Sequence, residues 1–137
     1  MLQKPCGNQP RAERPRETSK LIAIIDDDDA MRDSLRDLME AAGLVARCFE
    51  SAEEFLESDL RTRAACLIVD IRMPKMSGLE LQARLKEEDR NVPIIFITAH
   101  GDARMKIRAM REGAVEFLSK PFDHRVLLKR VRAAFEM

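Results

Sequence analysis

Runs of apolar residues recur along the chain and alternate with amphipathic segments. Residues 93–98 are apolar up to the final threonine and do not alternate between apolar and polar positions. Continuous runs of this kind are typical of parallel strands that are covered on both faces. The predicted strands are residues 20–25, 44–49, 65–70, 93–98 and 114–119.

The segments between these runs show the periodicity of amphipathic helices. In the first segment, Met31, Leu35 and Leu38 lie on one stripe at helical spacing, and Gly43 follows where helices commonly end. Ser51 opens a sequence that fits a capping box at the start of the second helix. The predicted helices are residues 30–42, 51–60, 77–88, 103–112 and 123–136.

Five strand–helix units in alternation predict an α/β fold with a doubly wound, five-stranded parallel sheet and five helices. No internal repeat or second domain is visible, so we expect residues 20–137 to form one domain. Residues 1–19 carry Pro5, Pro10 and Pro15 among many polar residues, and we expect them to be a disordered N-terminal extension.

The charge of the chain is balanced, with 24 lysines and arginines against 24 aspartates and glutamates. This balance gives no support for direct binding to nucleic acid or to a membrane surface. No apolar run reaches the ~18 residues that a membrane span needs. Cys6, Cys48 and Cys66 lack the spacing of metal ligands, so we expect reduced thiols in a cytoplasmic protein.

Carboxylates directly follow two of the predicted strands. Four aspartates, Asp26 to Asp29, follow the first strand, and Asp70 ends the third. Ligands of open α/β sheets bind at the carboxyl ends of the strands, and hard cations such as Mg²⁺ prefer oxygen ligands. The sequence therefore predicts a divalent-cation site. An acidic helix start, favoured by the helix dipole, is the other explanation of the run, and we expect it to apply to Asp28 and Asp29.

Four motifs at the ends of consecutive strands resemble a known family. They are Ile-Asp-Asp at residues 25–27, Val-Asp-Ile-Arg-Met-Pro-Lys-Met-Ser-Gly at 69–78, Phe-Ile-Thr-Ala-His-Gly-Asp at 96–102 and Phe-Leu-Ser-Lys-Pro-Phe at 117–122. Together they resemble the receiver domains of bacterial two-component response regulators, in particular the FixJ/NarL-type receivers, over essentially all of residues 20–137. The resemblance implies a flavodoxin-like sheet with the strand order 2-1-3-4-5.

The resemblance implies a phosphorylation site that depends on a metal ion. Asp70 matches the phosphoryl acceptor of the family, and Asp26, Asp27, Asp70 and the backbone carbonyl of Arg72 match its Mg²⁺ ligands, with Mn²⁺ as a possible substitute. A metal is needed because a carboxylate attacks a phosphoryl dianion only when the charge between them is cancelled.

Further residues match the family positions that stabilise the phosphoryl group and transmit the switch. Thr98 and Lys120 would contact the phosphoryl group, and receivers typically hold the bond between this lysine and the next proline cis. Phe117 corresponds to the aromatic residue whose rotamer follows the movement of the threonine. Arg72 and His100 lie where receivers tune the lifetime of the phosphoryl group, so they are candidates for controlling dephosphorylation.

The implied function is phosphorelay signal transduction. The chain would accept a phosphoryl group from the phosphohistidine of a cognate sensor histidine kinase and switch the surface formed by residues 103–136. This surface is the expected homodimer interface of the phosphorylated form, and the expected output is transcription. The chain would catalyse only its own phosphorylation and slow dephosphorylation, so we do not class it as an enzyme.

Two alternatives to a transcriptional receiver stay open. FixJ/NarL-type receivers usually precede a DNA-binding domain, and the sequence ends at Met137 without room for one. The chain would then be an excised receiver, or a stand-alone receiver that acts through protein contacts or as a phosphate sink. A more distant alternative is a haloacid-dehalogenase-type phosphohydrolase, because Asp26 and Asp28 imitate its Asp-x-Asp motif. Ala30 and the short chain depart from that family's pattern.

Overall fold

Strands and helices alternate along the chain in the computed structural model, which describes residues 21–99 and 102–135. The strands are β1 (Leu21–Ile25), β2 (Val45–Phe49), β3 (Ala64–Asp70), β4 (Ile94–Thr98) and β5 (Glu116–Ser119). The helices are α1 (Asp29–Ala41), α2 (Ala52–Leu56), α3 (Leu60–Arg63), α4 (Gly78–Glu87), α5 (Ala103–Arg111) and α6 (His124–Ala134).

The strands form one parallel sheet in the order β2-β1-β3-β4-β5, which confirms the predicted topology. After β1 the chain first builds β2 on one side and then crosses to β3 on the other side. The strand order therefore reverses between β1 and β3. At such a switch point, the carboxyl ends of the two strands border the crevice where sheets of this type bind ligands.

The second predicted helix, residues 51–60, is wrong in its extent, and residues 21–99 and 102–135 form six helices where five were predicted. The segment forms α2 and α3, which are separated by a break at residues 57–59. At the break the Ser58 hydroxyl donates to the Phe55 carbonyl at 2.8 Å and accepts from the Leu60 amide at 3.2 Å. The side chain thus replaces helical backbone hydrogen bonds and ends α2 after little more than one turn.

Apolar layers cover both faces of the sheet. Every residue of β1 and of β4 is buried, as the continuous apolar runs predict. Along β3, Leu67 and Val69 face the layer of α2, α3, α4 and α5, while Cys66 and Ile68 face the layer of α1 and α6. Both faces are therefore held by packing, and the buried acids Asp26 and Asp70 lie at the carboxyl ends of strands.

Some predictions concern residues outside the described ranges. They are the disordered extension at residues 1–19 and His100. Among the residues that the structure describes, no helix has both the length and the apolar character to cross a membrane.

Candidate functional site

The strand ends bring the predicted site residues together at the carboxyl edge of the sheet. Ile25 pairs with Val69, so the residues that follow them, Asp26 and Asp70, lie side by side. Carboxylate oxygens of Asp26, Asp27 and Asp70 all lie within 4.8 Å of one another. The structure therefore places three of the predicted ligands around a single small volume.

The four consecutive aspartates of the β1–α1 loop have different environments. Asp26 is 2% exposed, and its Oδ1 accepts the Asp28 amide at 2.9 Å. Asp27 is exposed. Asp28 is the N-cap of α1, because its Oδ1 accepts the Ala30 amide at 2.9 Å, and Asp29 lies in the first turn of the helix. The second half of the run is a helix start, as predicted.

Asp70 ends β3 and faces the one lysine that approaches the acids from β5. Its Oδ1 accepts the backbone amide of Arg72 at 3.2 Å. Lys120 Nζ lies 4.0 Å from Asp70 Oδ2 and 3.6 Å from Asp26 Oδ2, so it acts as a nearby charge rather than as a hydrogen-bond donor. Lys120 thus lies near two of the three clustered carboxylates.

Burial and repulsion make the ionised acids unfavourable. Burial raises the pKa of Asp70 to about 6, the charge of Asp26 adds to this rise, and Lys120 opposes it. Burial also raises the pKa of Asp26, against the opposing effects of the Asp28 amide and Lys120. An all-oxygen donor set with excess negative charge suits a divalent cation such as Mg²⁺, because a cation would relieve the repulsion.

Thr98 ends β4, the neighbour of the strand that ends at Asp70, and Phe117 lies on β5, one strand further away. Thr98 is fully buried, and its carbonyl accepts the Lys120 amide at 2.9 Å, which ties the ends of the two strands together. The Lys120–Pro121 peptide bond is cis. Phe117 is 6% exposed and packs on Phe96, with ring centroids 6.5 Å apart. In this structure the predicted switch aromatic points into the core.

Gly78 is a site residue whose role the motif alone does not reveal. A Cβ atom at this position would lie 2.6 Å from the Asp70 carbonyl oxygen and 3.0 Å from the Ile71 Cα. Its amide donates to the Ile71 carbonyl at 2.9 Å. Glycine lets α4 begin directly against the end of the acceptor strand. A glycine at the start of a predicted helix is the signal in the sequence for this role. Glycine loses more conformational entropy on folding than other residues, so its use there indicates a special requirement of the backbone.

Glu53 is a second residue that sequence reasoning missed. Its Oε2 accepts the Met76 amide at 3.2 Å, in the loop that also carries Arg72. Lys75, next to Met76, has a left-handed φ of 64°, so Glu53 holds the loop beside an unfavourable backbone conformation. Glu53 Oε1 is buried without a hydrogen-bond partner in the described part of the chain. Nothing in the sequence distinguishes Glu53 from an ordinary acid in the first turn of a helix.

Comparisons with known proteins agree with this geometry. A family model described as the response regulator receiver domain matches residues 22–132. The chain is 45% identical over 119 residues to the response regulator protein TodT of Pseudomonas putida, which is 87% of this chain and 52% of TodT. It is 41% identical over 113 residues to the transcriptional regulatory protein FixJ of Bradyrhizobium diazoefficiens, which is 82% of this chain and 55% of FixJ.

Solved structures show the same similarity. The response regulator StyR has a TM-score of 0.79 at 43% identity, over 85% of this chain and 59% of that one. The structure of FixJ-N has a TM-score of 0.77 at 37% identity, over 85% of this chain and 94% of that one. The chain spans about half the length of the curated relatives it matches, at 52% of TodT and 55% of FixJ.

Proposed function

Because the chain belongs to the response regulator receiver family, we propose that Asp70 accepts a phosphoryl group from the phosphohistidine of a sensor histidine kinase. The observation that carries this proposal is the set of three carboxylates within 4.8 Å, with Lys120 beside them. Receivers are signalling domains rather than classical enzymes. We assign to this chain only the acceptance and slow loss of its own phosphoryl group.

The transfer uses the oxygen chemistry of Asp70. An Asp70 carboxylate oxygen attacks phosphorus, the bond from phosphorus to the histidine nitrogen breaks, and the imidazole leaves with the electron pair of that bond. The Arg72 amide holds Asp70 Oδ1 at 3.2 Å and so fixes the orientation of the carboxylate. Lys120 would neutralise phosphoryl oxygens as a point charge, and the Thr98 hydroxyl would donate to one of them.

We assign the metal to Asp26, Asp27, Asp70 and the backbone carbonyl of Arg72. A bound Mg²⁺ ion would cancel the repulsion between the carboxylate and the phosphoryl oxygens. Mn²⁺ also accepts carboxylate and carbonyl ligands, so it could substitute. Residues 22–132 match the receiver family model, which argues against a haloacid-dehalogenase-type phosphohydrolase.

The signal would leave through the surface of residues 103–136. Shifting the ratio of active to inactive conformations from 1:99 to 99:1 takes about 5.5 kcal/mol. One hydroxyl hydrogen bond contributes only about 1 kcal/mol. The contact of Lys120 with the phosphoryl group and the bridging metal must therefore supply much of the free energy that favours the active conformation. Thr98 and Phe117 would be the side chains that move.

In the described residues the large exposed apolar side chains are Ile107, Met110 and Val126, all on α5 and α6. This concentration supports a homodimer interface.

We propose control of transcription as the output, because relatives such as FixJ are named transcriptional regulatory proteins. The chain itself would act through its kinase and through protein contacts in the cytoplasm, without binding nucleic acid or a membrane directly. A stand-alone receiver or a phosphate sink is the alternative output. Arg72 and His100 would tune the phosphoryl lifetime, so replacing either with alanine should change the decay rate of the phosphoprotein.

The test is labelling by acetyl phosphate in Mg²⁺, followed by intact mass. We expect the wild type and Asp33→Asn, which alters an exposed acid of α1, to gain one phosphoryl group each. We expect Asp70→Asn to gain none, and chelation of the metal to prevent labelling of the wild type. Stoichiometric labelling of Asp70→Asn would overturn the assignment. Light scattering of the labelled wild type then tests dimerisation, and a monomer at high concentration would contradict it.

A further inference from the structure

Arg32 connects the end of β1 to the start of α1. Its Nη1 donates to the backbone carbonyl of Asp26 at 2.7 Å, and its Nη2 forms an ion pair with Asp29. The Arg32 side chain is only 12% exposed. Because it is planar and forked, one guanidinium can hold both partners in fixed directions.

The contact with Asp26 acts on the next residue as well. The Asp26 carbonyl belongs to the planar peptide group that joins Asp26 to Asp27, so holding this oxygen fixes the plane from which Asp27 projects. Asp26 and Asp70 are buried and kept in place by packing, whereas Asp27 is exposed. Of the three candidate ligands, Asp27 therefore depends most on the backbone for its position.

We propose that Arg32 is a positioning residue for the metal ion, which orients the Asp26–Asp27 peptide so that both carboxylates face Asp70. This inference rests on the proposed metal-dependent function. It also gives Asp29 a role, because the carboxylate of Asp29 holds the second nitrogen of the guanidinium.

The direction in which metal affinity changes when Arg32 is replaced distinguishes a positioning role from a purely electrostatic one. Arg32 is a cation close to the acid cluster, so its removal by itself should strengthen binding of another cation. Loss of positioning should instead weaken binding, and residues that orient metal ligands typically contribute about 10–100-fold to metal affinity. The two explanations therefore predict opposite shifts of the dissociation constant.

The experiment is a titration with Mn²⁺, in which the signal of the free ion is followed by electron paramagnetic resonance. The chain has no tryptophan or tyrosine, so quenching of their fluorescence offers no readout. We expect Arg32→Met to weaken Mn²⁺ binding about tenfold or more. Arg36→Met is the matched control, because it removes the next arginine of α1, which pairs with Asp33 and Asp37. We expect this control to shift binding less than about twofold.

Labelling by acetyl phosphate gives a second readout. Arg32→Met should reach the wild-type extent of labelling at saturating Mg²⁺, with the half-maximal Mg²⁺ concentration raised by about the same factor. Circular dichroism checks that the variant is folded. If Arg32→Met does not fold, Arg32→Lys provides the test. This variant keeps the positive charge but loses the forked guanidinium, so it should also weaken metal binding.

The outcomes distinguish this inference from the proposed function. If the wild type binds Mn²⁺ and is labelled while the folded Arg32 variants titrate like the wild type, or more tightly, only the role of Arg32 is overturned. If the wild type neither binds Mn²⁺ nor accepts a phosphoryl group, the proposed function is wrong and the role of Arg32 is overturned with it.

Discussion

The two ends of the sheet use charge in opposite ways. At the carboxyl end, three carboxylates lie within 4.8 Å of one another, and Lys120 lies near two of them. At the amino end, Arg90 donates to the backbone carbonyls of Arg61 at 2.9 Å and Ala64 at 2.7 Å. There Glu88 also accepts from Arg61 at 2.6 Å and from Arg84 at 3.0 Å. At the amino end the acid Glu88 is paired with two arginines, whereas at the carboxyl end the clustered carboxylates outnumber the lysine beside them.

The pKa values report the same contrast. Hydrogen bonds from Arg61 and Arg84 lower the pKa of Glu88, while burial and the charge of Asp26 raise the pKa of Asp70 to about 6. The ionised acid is thus favoured at one end and disfavoured at the other. The candidate site therefore holds unfavourable negative charge that a bound cation can relieve, whereas the charges at the opposite end form ion pairs that stabilise the fold.

The largest expected effect comes from removing charge at the carboxyl end by Asp70→Asn. Burial raises the pKa of Asp70 in the folded protein from the usual 3.8 to about 6, so this group stabilises the fold at low pH and loses that contribution as the pH rises through 6. At pH 7.5 without metal, we expect the variant to be more stable by up to about 3 kcal/mol. Urea denaturation in a chelator measures the difference.

The gain should shrink at pH 5, where the acid is mostly protonated. It should also shrink when Mg²⁺ is added to the wild type. Asp33→Asn, which replaces an exposed acid, is the control and should show little change. Equal stability of Asp70→Asn and the wild type at pH 7.5 would contradict the conclusion that the carboxyl end, unlike the amino end, holds unfavourable charge.

The second effect concerns Asp27, the exposed acid of the cluster. We expect Asp27→Asn to weaken Mg²⁺ binding about tenfold or more, because a charged ligand is lost, and isothermal titration calorimetry measures it. Asp28→Asn removes the neighbouring charge but keeps an N-cap residue, so its affinity should stay within about twofold of the wild type. Equal losses in the two variants would mean that net charge, rather than ligation by Asp27, controls binding.

The third effect belongs to the amino end, where Arg90 holds two backbone carbonyls. Arg90→Met keeps an apolar stem but leaves those carbonyls without this donor, so we expect a loss of about 1–2 kcal/mol in the free energy of unfolding. The affinity for Mg²⁺ should not change, since the contacts lie at the opposite end of the sheet. A change in metal affinity would show that the two ends are coupled.

The smallest expected effect is that of Glu88→Gln. Its ion pairs with Arg61 and Arg84 lie at the surface, where such pairs contribute little and are screened by salt. We expect thermal unfolding of this variant to match the wild type at high salt and to differ only slightly at low salt. A large loss at high salt would mean that the amino end depends on Glu88 far more than its exposure suggests.

Much of the fold could be predicted because strand burial is local information. Every residue of β1 and β4 is apolar or ends the run, so those strands could be assigned from a few neighbouring positions. The break between α2 and α3 could not, because 51–60 has helical composition and the break depends on how the Ser58 hydroxyl is used. A serine in a helical pattern is compatible with either outcome.

The candidate site divides in the same way. The aspartates after β1, Asp70 and Lys120 could be proposed because each lies at the end of a predicted strand, and parallel strands bring such positions to one edge. The choice of Asp26 and Asp27 among the four aspartates came from the resemblance to receivers. The roles of Asp70 and Lys120 in phosphoryl transfer remain predictions.

The alternation of strands and helices and the acidic strand ends follow from short-range patterns of apolar and charged residues, so they can be predicted from the amino-acid sequence. The groups that support the site are visible only in the folded protein. Glu53 accepts a hydrogen bond from the Met76 amide, 23 residues away in the chain. Position 78 requires glycine because a Cβ atom there would collide with the Asp70 carbonyl. Such contacts depend on distances between folded elements, which no local pattern encodes.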